Sequence, residues 1–136
     1  MGYTHYWKYN KNECVEDFKK AVPELKKVLE KYEDLLADGL GNKGTEPRLT
    51  ETGIWFNGIE DNSHETFSID SEHMTDFEFC KTVEKPYDLP VCECLLILEH
   101  HIPGFKVTSD GIWEEDSKEM MEENWKWAIK NTGYQK

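Results

Sequence analysis

Apolar positions along this chain switch between two periods. Over Gly2–Tyr9 they alternate, with Tyr3, His5 and Trp7 on one side and Thr4 and Tyr6 on the other. That alternation predicts a strand. Rings occur on both sides, so the strand is either buried on both faces or turns one face to a pocket. From Val15 the period lengthens. Val15, Phe18, Val22, Leu25, Leu29, Tyr32 and Leu36 recur at helical spacing, with lysines and glutamates between them. Asn12 is the candidate cap for a helix starting near Glu13, with Asn10 as the alternative. Pro23 lies inside the pattern and must kink the helix or open the first turn of a second one. Gly39, Gly41 and Gly44 end the helix and form a flexible connector.

Three short β-patterned runs follow, Gly53–Ile59, Glu65–Ile69 and Phe77–Thr82. Asp61–Asn62–Ser63 reads as the turn between the first two, and Ser71–Thr75 as a polar connection to the third. Asp88 is a candidate N-cap with Pro90 in the first turn. Val91–Ile102 is apolar on most sides, which predicts a central buried helix stopped by Pro103–Gly104. Phe105–Thr108 reads as a strand, with Ser109–Asp110–Gly111 as a hairpin turn into Ile112–Trp113. A last helix is expected to start at Asp116 or Ser117 and run through Lys130. The order β-α-β-β-β-α-β-β-α predicts an α+β fold. It should hold a mostly antiparallel sheet of five to six strands with three helices packed on it.

At 136 residues the chain suits one domain, 1–136, able to bury a core without staples. The longest apolar run, Leu95–Leu98, falls far short of the roughly 18 residues of a membrane span. The N-terminus has no apolar leader pattern, so a cytoplasmic protein without a membrane partner is expected. Cys14, Cys80, Cys92 and Cys94 form no CxxC pair. On a helix Cys92 and Cys94 would sit about 200° apart, too divergent to grip one metal. Reduced thiols fit, and no metal or cofactor is expected.

Charge narrows the partners. The net charge is −12, with 28 acidic against 16 basic residues, and Arg48 is the single arginine. Polymeric nucleic acid would be repelled by that field, and bidentate phosphate or guanine readout favours arginine. A small anion in a local basic pocket is still allowed, because salt screens charges beyond about 8–10 Å.

Four groups of residues could carry chemistry. Thr4, His5, Tyr6 and Trp7 mix rings with hydrogen-bonding groups, as a base or sugar pocket does, but spacing alone favours a core strand with a satisfied histidine. Lys81, Thr82 and Lys85 precede a helix N-terminus, where amide groups and the dipole attract an anion, although Asp88 as a cap would occupy those amides. His64 and Glu65 could form an acid/base pair, but strand neighbours point to opposite faces. His100 and His101 diverge by about 100° on a helix and fit its C-terminal dipole better than a metal. No Walker loop, dinucleotide fingerprint, HExxH or GxSxG occurs.

The opening Met1–Trp7 string is distinctive. It joins Phe56–Asn57–Gly58, Glu65–Thr66–Phe67, Phe79–Cys80–Lys81–Thr82, Lys85–Pro86–Tyr87–Asp88 and Ser109–Asp110–Gly111. With these the chain resembles a family of small uncharacterised proteins from phages, plasmids and bacteria. Pro23 and the more acidic tail after Trp113 depart from the family pattern without touching those motifs. The phage occurrence is similar to that of counter-defence proteins that sequester cyclic nucleotide signals, the anti-CBASS sponges. The resemblance implies a non-catalytic binder of a cyclic (di)nucleotide or similar phosphorylated signal, acting in the host cytoplasm if phage-encoded. Its ligand-binding residues would be Tyr3, Thr4, His5, Tyr6, Trp7, Lys81, Thr82, Lys85, Tyr87 and Ser109, gathered in one cationic, ring-lined hollow. A homodimer is compatible with such a binder. Two other readings stay open: an acidic protein-binding inhibitor using Glu114, Glu115, Asp116, Glu119, Glu122 and Glu123, or a small nucleotide-processing enzyme using His5 or His64.

Overall fold

The computed structural model describes residues 3–112 and 121–136. Three helices and six strands form an α+β fold, and the strands divide into two three-stranded antiparallel sheets. The first sheet has the order β5-β1-β6, with β1 Thr4–Lys8, β5 Phe77–Lys81 and β6 Lys106–Ser109. The second has the order β2-β3-β4, with β2 Arg48–Leu49, β3 Gly53–Phe56 and β4 Phe67–Asp70. The two-residue β2 has no alternating pattern, because its ladder to β3 involves only Arg48 with Trp55 and Leu49 with Ile54.

Helix α1, Val15–Lys31, is amphipathic and buries Phe18, Ala21, Leu25 and Val28. Neither Asn10 nor Asn12 caps it. The N-cap is Cys14, and the Glu13 carboxylate accepts the Val15 amide at 2.9 Å. Pro23 lies inside one continuous helix rather than opening a second. Helix α2, Asp88–His101, has no polar side: Val91, Cys92, Cys94, Leu95, Leu96, Ile97 and Leu98 are all buried. A helix apolar all round must sit inside, and α2 packs against α1, α3 and β6. Helix α3 runs Glu123–Thr132 and ends on Gly133 at φ 80°, a left-handed cap that suits glycine. The expected start at Asp116 or Ser117 lies outside the described residues, as do Gly2 and Trp113. Ile112 makes a bridge to Met121.

One hydrophobic cluster joins both sheets to all three helices. Trp7 of the first sheet meets Phe67 of the second edge-on, with centroids 5.6 Å apart, and Phe67 packs on Phe56 at 5.1 Å. Two acids inside α2 tie the layers together. Glu93, 2% exposed, accepts from Tyr32 of the segment after α1 and from Asn131 of α3 at 3.0 Å. Asp88, fully buried, binds the first sheet. No helix in the described residues is long and apolar enough to cross a membrane.

Candidate functional site

Opposed residues of an antiparallel pair share a face, so the register of the first sheet divides the expected ligand residues. His5 and Trp7 point inward with Cys80 and Ser109. Tyr6 points outward with Phe79 and Lys81, whereas Thr4, opposite Lys81, is buried. The sheet itself therefore separates residues expected to share one hollow.

On the inner face, β1 places His5 against the first turn of α2. His5 Nε2 lies 2.6 Å from Asp88 Oδ1, and His5 Nδ1 lies 2.7 Å from Ser109 Oγ. The same carboxylate accepts the Thr82 hydroxyl and, at 2.7 Å, the Asn124 side-chain amide. Ser109 Oγ accepts two further bonds, from Gly111 N and Trp125 Nε1, each at 3.0 Å. Those two donors fill both lone pairs of the hydroxyl oxygen. The Ser109 hydroxyl then donates to His5 Nδ1, which leaves the single proton of the neutral imidazole on Nε2 and directs it onto Asp88. Burial pulls the Asp88 carboxyl upward, but the hydrogen bonds from His5, Thr82 and Asn124 outweigh it and hold Asp88 below the usual carboxylate range. Asp88 is thus the first residue of α2 with an inward side chain, and Tyr87 takes the N-cap position in its place.

Serine, histidine and aspartate in this sequence of bonds have the connectivity of a hydrolytic triad. The oxygen that would attack is saturated, however, and His5 is 0% exposed. His5, Asp88 and Cys92 also bring N, O and S donors within 4.8 Å of one another. A metal on Nε2 would need that nitrogen bare and the proton moved to Nδ1, facing an oxygen with no lone pair to spare. The arrangement is a satisfied proton-bonded lock between β1, β6, α2 and α3. Cys92 is fully buried, and burial and Asp88 push its thiol up.

The remaining predicted residues fall as follows. Tyr3 is buried, its hydroxyl without a hydrogen-bond partner among the described residues. Its ring meets His5 edge-on at 5.2 Å. Tyr87 is buried and donates to the Glu65 carbonyl at 2.6 Å. The Lys85 amine donates to the Asp61 carbonyl at 2.9 Å, away from His5. In the turn before α2, Thr82 N and Val83 N bond the Tyr3 carbonyl, Lys85 N bonds Thr82 and Asp88 N bonds Lys85, while Pro90 has no amide proton. Four amides at the expected anion site are therefore taken by the chain's own carbonyls. His64 is exposed while Glu65 Oε1 accepts the Lys81 amide at 2.7 Å, so those neighbours do not form an acid/base pair. His101 pairs with Glu24 of α1, and His100 stacks on Tyr134 at 4.0 Å.

The outer face of the same sheet is different. Tyr6 stacks on Phe77 with centroids 5.8 Å apart and planes 25° apart, and Phe77 adjoins Phe79 at 6.3 Å. Phe77 is 48% exposed and Phe79 55%, unusual for phenylalanines in a chain that buries most of its rings. Lys8 stands opposite both Phe77 and Lys106, and Lys81 stands opposite Thr4. Asp110 adjoins the face, accepting from the Tyr6 hydroxyl at 3.2 Å and Thr4 N at 3.1 Å. The register thus interleaves three rings with three lysines on one open surface. Beside it, around β6, a cavity of about 830 Å³ is lined by Lys8, Lys106, Thr108, Ser109, Glu99 and Lys136. Sequence reading missed Phe77, Phe79, Lys8 and Lys106; the alternation FEFCK against THYWK was the available signal.

Comparison with protein-family models, with curated proteins and with solved structures returns no significant match.

Proposed function

We propose that this protein binds a nucleotide on the outer face of the β5-β1-β6 sheet and holds it without cleaving it. Bases stack on Tyr6, Phe77 and Phe79, and phosphates meet Lys8, Lys81 and Lys106. The observation that supports this reading most directly is the exposure of two phenylalanines in an open ring cluster interleaved with lysines, in a chain whose net charge is −12. An aromatic face alone would suit any apolar partner. Rings alternating with cations on an antiparallel sheet suit a base attached to a phosphate. A cyclic (di)nucleotide signal, sequestered as a sponge would sequester it, is the form that the resemblance favours. Of the residues first expected to hold the ligand, Tyr6 and Lys81 keep that role; Thr4, His5, Thr82, Tyr87 and Ser109 are buried in the fold.

Calorimetric titration with cyclic di-AMP and with AMP tests the reading. Binding should weaken by about 5- to 150-fold in Phe79→Ala, the effect of removing one base-stacking ring, while thermal stability stays the same. Chromatography should recover the ligand intact. Absence of binding to both nucleotides, binding indifferent to Phe79→Ala, or recovery of a cleaved product would overturn it.

A further inference from the structure

A second surface lies away from the ring cluster, between α1 and the segment that carries β2. There a groove of about 800 Å³ has an apolar floor of Val22, Leu29, Leu36 and Leu49. Glu30, Glu33, Asp34, Glu46 and Glu51 line its sides, all exposed, against the one cation Lys26. Among the described residues none of these five carboxylates has an ion-pair partner within 4.0 Å. Leu49 belongs to β2, an edge strand paired only to β3.

We infer that this groove docks a basic amphipathic segment of a partner protein, with apolar side chains on the floor and lysines or arginines against the carboxylate walls. Simple solvation of an acidic surface needs no apolar strip beneath the charges. An apolar strip serving any hydrophobic partner needs no ring of one sign around it. The two together select a segment that carries both features, because long basic side chains lay their stems on apolar surface and keep their charge at the rim. The groove uses none of the residues of the proposed nucleotide face, so either reading can fail alone.

The test uses two labelled 18-residue peptides of equal charge, one of lysine and leucine at helical spacing and one of lysine and glutamine. Fluorescence anisotropy should show the leucine peptide binding at least tenfold more tightly. The triple variant Glu30→Lys, Glu33→Lys, Glu46→Lys should weaken it by at least tenfold. Reversing Glu60, Glu72 and Asp76 to lysine elsewhere should change it less than twofold. On the unaltered protein, amide shifts on adding the leucine peptide should concentrate in residues 22–36 and 44–51, which keeps the test valid if the triple variant misfolds. Equal binding of both peptides, equal loss in the control variant, or shifts centred outside the groove would overturn the inference.

Discussion

At the scale of single residues, the decisive atom is the Ser109 hydroxyl oxygen. Because it accepts from Gly111 and Trp125, it orders the protons of His5 and turns a catalytic-looking chain into structure. Asp88→Asn should cost about 1–3 kcal/mol, since an amide cannot accept from His5, Thr82 and Asn124 together and leaves a buried donor unpaired. Urea unfolding at pH 7 measures it. Asp88 and Glu24 both titrate below their usual ranges; for Glu24, burial opposes the shift while Tyr134 and His101 produce it. Depressed carboxyls stabilise the fold above their unfolded values, about 3.9 and 4.3, and that stability is lost as pH falls through the folded values. Urea midpoints should therefore drop as pH falls below about 4, and drop less in Asp88→Asn. Gly111→Ala tests packing at the same place. A Cβ there would collide with the Tyr3 hydroxyl, and Tm should fall by several degrees. None of this could be read from spacing. Ser109 and His5 are 104 positions apart, and the sequence shows a histidine on an aromatic strand without showing what faces it.

Among the elements, the helices were the most legible. The 3.6-residue repeat of α1 and the all-round apolarity of α2 follow directly from burial on one side and on every side. The helix starts were read less well. Asn12 offered a side-chain cap that the structure does not use, and Asp88 looked like a cap but serves the sheet. Pro23 illustrates the same limit. Its missing N–H leaves the Lys19 carbonyl without its helical donor, yet packing of Phe18, Ala21, Leu25 and Val28 carries the helix through. Pro23→Ala, at an exposed position, should raise stability by about 1–3 kcal/mol, readable by thermal unfolding. The strands were visible by alternation, but β2 was too short to alternate. The residues of β5 were seen and their orientation was not, because one-residue register decides which face of a strand is wet.

For the whole molecule, two surfaces of opposite character stand apart: a ring-and-lysine sheet face, and an apolar groove walled by carboxylates. Salt distinguishes them. Raising ionic strength from about 0.05 to 0.5 M shortens the screening length severalfold. It should weaken the leucine peptide more than the nucleotide, whose stacking is less sensitive to screening; anisotropy and calorimetry at the two salt concentrations would show it. By itself the sequence determined the α+β class, the number of helices, the interior place of α2, the acidity and the ring-rich first strand. These depend on local periodicity and composition, which neighbouring residues carry. Only the tertiary structure decided that the strands form two sheets, that His5 is locked and Phe79 open, and that Lys85 belongs to a turn. Those outcomes depend on pairing register and on partners up to a hundred residues away, and no local pattern encodes which side of a strand will find them.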